Sequence, residues 1–143
     1  MNESPIEGVE EFALDGQLLA VVIRGSASVD HTTFVSPPES SLQFGLLAHP
    51  AGYCEPAHVH KRISRSIEDV QQMFVVQRGT VLVDLFRENG ELLREIRLGA
   101  GDAILLMSGA HRIRVLEDAQ CVTVKQGPFL GLENDKVNVQ VAK

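Results

Sequence analysis

Cysteine is scarce in this chain. Cys54 and Cys121 are the only two, they form no CxxC pair, and they stand far apart. That does not suggest a disulfide framework; two small, partly buried free thiols are the expectation. Long apolar runs are missing too: none approaches the ~20 residues of a membrane span. The opening Met1-Asn2-Glu3-Ser4-Pro5 is acidic and polar, unlike a signal peptide, so a cytoplasmic protein is expected. Basic residues are outnumbered, with 13 Lys and Arg against 19 Asp and Glu and a net charge of −6. This argues against a nucleic-acid partner, which favours a basic face. There is no low-complexity segment, no internal repeat and no helical pattern longer than about two turns; Ser66 to Gln72 has helical spacing but is too short to count. No phosphate loop and no local Ser-His-Asp motif is visible.

What remains is an ordinary globular composition, 44% hydrophobic and 22% charged over 143 residues. A chain of this size forms one domain and buries roughly 68% of its unfolded surface, so it needs no metal simply to stay folded. One domain over 1–143 is expected, with its core at about 12–130 and a polar tail at 131–143 that drapes over the core or pairs at an edge. The pattern is β throughout. Leu18 to Arg24 follows the turn signal Asp15-Gly16, and Leu42 to Ala48 is a second strand. Gln72 to Gln77 is a third, stopped or bent at Gly79, and Thr80 to Phe86 is a fourth. Asn89-Gly90, a strong hairpin signal, leads into Glu91 to Leu98. Ala103 to Met107, His111 to Leu116 and Cys121 to Lys125 complete the set. Many short strands at spacings of about 8–12 residues define an all-β barrel or sandwich.

Five histidines are present, and the informative pair is His58-Val59-His60. On a strand, residues i and i+2 project to one face, with roots about 7 Å apart, so the two imidazoles can converge on one ion. Around them the chain reads Gly52-x5-His58-x-His60, then Gln72-x6-Gly79, then Gly101-Asp102-x6-Gly109-Ala110-His111. These residues, spanning about Pro50 to His111, resemble the two signature motifs of the cupin superfamily. The resemblance implies an antiparallel jelly-roll barrel, a double-stranded β-helix of two packed sheets. It also implies one divalent transition metal (Zn, Ni, Fe, Mn or Cu) held inside by His58, His60, His111 and the residue at Gln72. His60-x4-Arg65-x-Ile67 and Lys125-Gln126-Gly127-Pro128-Phe129 followed by Asp135-Lys136 resemble a subgroup of small bacterial cupins whose reaction is not secured.

Two departures from the family pattern matter. Its glutamate falls at Gln72, whose amide offsets no cationic charge; such a site holds an ion more weakly and lacks the carboxylate of the oxygenase triad. The usual proline of the second motif is Met107, and the connection to His111 is one residue shorter, although Ser108-Gly109-Ala110 can still aim His111 inward. Alternation puts His111, Ile113 and Val115 on an inner face and Arg112 and Arg114 on the outer one; Gln72, Phe74 and Val76 also share an inner face. The plain alternative is a buried hydrogen-bond network among these polar groups.

Elsewhere, Asp102 reads as a turn stabiliser, and His31 and His49 as isolated surface residues. Lys61-Arg62-Ile63-Ser64-Arg65 is either a solvated loop or a lid, with Arg65 as the candidate substrate-binding residue for an acidic group. The face of Lys125 is open. Three functions compete: a metal-dependent enzyme acting on a small acidic or sugar-like molecule, a binding module without chemistry, and a metal-free isomerase using histidine as acid and base. No catalytic residue is assigned. The expected partners are a small-molecule ligand and, by analogy with cupin-like barrels that pair through edge strands, a second copy in a homodimer; no membrane is expected.

Overall fold

The structure is a computed structural model and describes residues 6–142; the N-terminal residues 1–5, read above as unlike a signal peptide, and Lys143 lie outside it. Antiparallel strands form one strongly curled sheet, a half-barrel, so the chain is all-β as expected. β1 (Val9–Leu14) and β2 (Gln17–Ile23) form a hairpin. Its turn is Asp15-Gly16, with φ of 51° and 79°, the double positive φ that suits a two-residue hairpin loop. β3 (Thr33–Phe34) and β4 (Gly45–Leu46) make a separate two-residue ladder. β5 (Gln72–Phe86), β6 (Leu92–Gly99), β7 (Ala103–Leu106) and β8 (Ala110–Lys125) follow. The order is β1-β2-β7-β5-β6, with β8 also paired to β5.

β5 is the spine of the sheet. Its first half, Gln72–Val75, pairs with β7, its second half, Thr80–Phe86, pairs with β6, and β8 follows it on the other side along its whole length. The change of partner happens at Gly79, where φ is +85° and the β5–β8 register shifts on both sides. A Cβ on Gly79 would lie 2.2 Å from the carbonyl oxygen of Asp118. Only glycine lets the two strands approach there while the backbone takes a left-handed turn. Thus the two strands read on either side of Gly79 are one bent strand, and those read at His111 to Leu116 and Cys121 to Lys125 are likewise one.

The curl creates two cores. The concave face carries Leu19, Val22, Phe74, Val76, Val83 and Leu98 among its buried residues. The convex face of β2 and β7 carries Val21, Ile23 and Leu105, and the segment through Val35, Leu42 and Phe44 covers it. This alternation of Val21 and Val22, or Ile104 and Leu105, onto opposite faces is the period-2 geometry of a strand buried on both sides. Among the described residues one charge sits inside: the Asp84 side chain has no exposed surface. Arg114 grips it with two hydrogen bonds of 2.7 Å each, Nε to Oδ2 and Nη2 to Oδ1, and Arg112 Nε donates to Oδ2 at 2.9 Å.

Two sequence expectations change. The strand expected over Leu42 to Ala48 shrinks to β4, and β1 was not foreseen. Residues 47–71 carry no strand at all, so His58-Val59-His60 does not lie in a hydrogen-bonded sheet. In the tail, α1 (Leu132–Asp135) is followed by residues that line the cavity of His111, and Ala142 N–H donates to the Gly90 carbonyl at 2.9 Å. Among the described residues, no helix is long and apolar enough to cross a membrane.

Candidate functional site

The pairing register decides which β8 side chains face inward. His111, Ile113 and Val115 stand opposite Leu85, Val83 and Val81; Cys121, Thr123 and Lys125 stand opposite Val76, Phe74 and Gln72. Cross-strand partners share a face, and Val81, Val83, Leu85, Phe74 and Val76 belong to the concave core. His111 therefore faces inward, and the same register assigns Lys125 to the inner face. The turn before β8 supplies the aim: Gly109 has φ of +76°, and a Cβ there would press on Leu19 and the Phe86 carbonyl, each 3.2 Å away.

Gln72 and His111 line one cavity of about 850 Å³ together with Arg112, Glu88 and, from the tail, Lys136, Val139 and Val141. Gln72 Nε2 donates to Thr123 Oγ1 at 2.9 Å, and Thr123 Oγ1 donates to the Met73 carbonyl at 3.0 Å. This fixes the amide and turns Gln72 Oε1 into the available acceptor. His111 keeps an exposed face, yet neighbouring protein atoms partly desolvate its ring and push its pKa below the usual histidine value; the Lys136 charge pushes the same way. His111 is therefore a neutral imidazole around pH 7, able to accept a hydrogen bond or offer a lone pair. Burial pushes the Cys121 thiol up, so it stays protonated. Lys125 Nζ is 3.1 Å from Asp135 Oδ2, and that ion pair ties α1 to the inner face.

His58 and His60 are elsewhere. Their rings meet edge to face with centroids 5.3 Å apart, on an exposed segment. His58 Nδ1 lies 3.0 Å from the Pro56 carbonyl; donating there leaves Nε2 with the free lone pair. Neither ring lines the cavity of Gln72 and His111. The four residues expected to share one ion thus fall into two pairs within the chain, and among the described residues no group of three or more His, Cys, Asp or Glu side chains is placed to hold a metal. The reason is that the segment carrying His58 and His60 does not join the sheet. Arg65 is separated as well. It lines a second cavity of about 900 Å³ beside Ser40 and Gln71, where Glu39, Glu68 and Asp69 outnumber it; that acidic balance disfavours an anion. His31 lies against Asp30 and His49 stacks on Tyr53, both at the surface. Asp102 accepts from the backbone N–H groups of Gly25 and Gly99 at 2.8 and 2.9 Å and pairs with Arg24, as a turn stabiliser would.

Sequence reasoning missed the tail as a wall of the cavity. Its signal was the Asp135-Lys136 pair, which entered only through the family resemblance. The fold and site define an all-β half-barrel with a ligand-sized pocket on its concave face. No family model, curated protein or solved structure matches the chain.

Proposed function

We propose that this chain is a small-molecule-binding barrel protein of cupin type, and that its concave pocket takes a small acidic or sugar-like ligand. The observation that carries this reading is the lining of one cavity of about 850 Å³ by a neutral imidazole, an oriented amide and a cationic lysine, His111, Gln72 and Lys136, beside apolar Val139 and Val141. Mostly apolar walls with a few convergent polar groups are the usual make-up of a small-ligand site. Lys136 offers charge to a carboxylate, and His111 and Gln72 offer directional hydrogen bonds. Arg112 and Glu88 line the same cavity.

Isothermal titration calorimetry with small carboxylic acids, sugar acids and neutral sugars tests this. Binding by one class is expected. Lys136→Ala and His111→Ala are each expected to weaken it at least about tenfold, as removing a polar or charged partner from a pocket does. A protein that binds none of them, or binds them equally well as both variants, is not this receptor.

One observation favours a second reading, a metal-dependent enzyme: the two imidazoles of His58 and His60 lie close together and both are reachable. The ligand set does not fit one ion within a single chain, because Gln72 and His111 occupy a different place. Near-stoichiometric zinc, nickel, iron, manganese or copper in the purified protein, lost in His58→Ala/His60→Ala, is the result this reading expects; equal metal content in both proteins ends it.

A further inference from the structure

β8 is an unfinished edge. Its sixteen residues pair with β5 and with no other strand. Among the described residues, no backbone hydrogen bond reaches its outer side. Apolar side chains are left uncovered on both of its faces: Ile113 and Val115 on the concave side are 45% and 60% exposed, and Val122 and Val124 on the convex side are 49% and 50% exposed. A long unpaired edge is a template for another strand, and exposed apolar side chains grouped on it mark an interface.

The same chain carries the matching piece. Residues 49–70 are all exposed and contain no strand, and none of 54–70 makes a backbone–backbone hydrogen bond. Val59 is 89% exposed and Ile63 is 62% exposed. Both ends of this arm are anchored. Gln71 N–H donates to Gln126 Oε1 at 2.6 Å, Gln71 Oε1 accepts from Ser40 and Leu42, and β4 holds the other end. Between the anchors, residues 49–70 make no backbone hydrogen bond to the β8 edge of their own chain. Alternation along it puts Val59, Lys61 and Ile63 on one face and His58, His60 and Arg62 on the other.

We propose that the arm of one copy adds as a strand to the free edge of β8 in a second copy, reciprocally, closing both half-barrels. One chain that holds both a template edge and an unpaired strand satisfies each need twice in a two-fold dimer. Val59 and Ile63 then extend the convex apolar face of β8, and His58 and His60 enter the concave side that holds His111 and Gln72. The dimer does not depend on the ligand chosen above; that the completed pocket is a metal site rests on the metal reading.

Sedimentation of the full chain at tens of micromolar tests the dimer. A dimer is expected, and Val59→Glu/Ile63→Glu is expected to sediment as a folded monomer, because both residues lie outside the two cores. A monomeric wild-type protein, or a variant that remains dimeric, overturns the proposal. The composite site is tested by zinc content after co-expression of His58→Ala/His60→Ala with His111→Ala. Neither variant alone completes a site. In the exchanged dimer the mixed pair regains one, about a quarter of the wild-type zinc on random pairing. Zinc in the wild type with none regained in the mixture overturns the exchange. A wild-type dimer without zinc, dispersed by the arm variant, supports the exchange and ends only the metal reading.

Discussion

Asp84 shows what a single charge costs and what holds it. Its carboxylate is wholly enclosed, while the guanidinium groups of Arg112 and Arg114 remain 45% and 39% exposed. The hydrogen bonds from Arg114 hold the carboxyl below the usual carboxylate range, against burial, with Arg112 adding to the effect. A depressed carboxyl contributes stability that is present above its unfolded value, about 3.9, and is lost as pH falls through the folded value. Thermal unfolding of the wild type is therefore expected to lose midpoint temperature below about pH 4. Asp84→Asn is expected to be less stable at pH 7 and to lose less on acidification. Asp84→Ala is expected to cost about 2 kcal/mol in chemical denaturation, the value of charge-assisted hydrogen bonds; the released arginines can turn to water, which keeps the loss below that of breaking a fully buried pair. Gly79 is the second such residue. With φ of +85° and the Asp118 carbonyl 2.2 Å from any added Cβ, Gly79→Ala is expected to cost at least about 1–3 kcal/mol through backbone strain alone.

At the scale of elements, one bent strand and one unpaired arm set the character of the molecule. β5 changes partner at Gly79 and so closes the sheet around the concave core; β8 follows it and leaves an edge free. Residues 54–70 lack backbone pairing, and segments of that kind open at little cost and are cut first by proteases. Brief trypsin treatment of the monomeric Val59→Glu/Ile63→Glu variant is expected to cut first after Lys61, Arg62 and Arg65. If the arm is exchanged as proposed, the wild-type protein is expected to resist at the same sites. Equal cutting rates would show that the arm is unpaired in both.

The whole molecule is held by two cores on opposite faces of one sheet. Leu98 is fully buried in the concave core, and Leu98→Ala is expected to cost about 2–5 kcal/mol, the range for removing a large core side chain and leaving a cavity. The arm and β8 both expose apolar surface, which the proposed exchange would cover. The unfolding midpoint of the wild type is accordingly expected to rise with protein concentration, as it does when folding and assembly are coupled. A midpoint independent of concentration would mean that the half-barrel is stable by itself.

The sequence by itself determined what depends on near neighbours. Turn chemistry at Asp15-Gly16, Asn89-Gly90 and Ser108-Gly109-Ala110 set where strands end, and two-residue alternation set which side of β8 His111 and Arg112 face, because strand geometry is local. It also carried the all-β class, since β-rich runs punctuated at short intervals leave no room for long helices. What only the tertiary structure decided depends on contacts far apart in the chain. The burial of Asp84 follows from three strands meeting, and its arginine partners lie twenty-eight and thirty residues away. The inner position of Lys125 follows from its register against Gln72, and the tail becomes a pocket wall only once the sheet curls. The separation of His58 and His60 from His111 has the same origin: i and i+2 spacing points two rings to one side, but only strand pairing says what lies on that side.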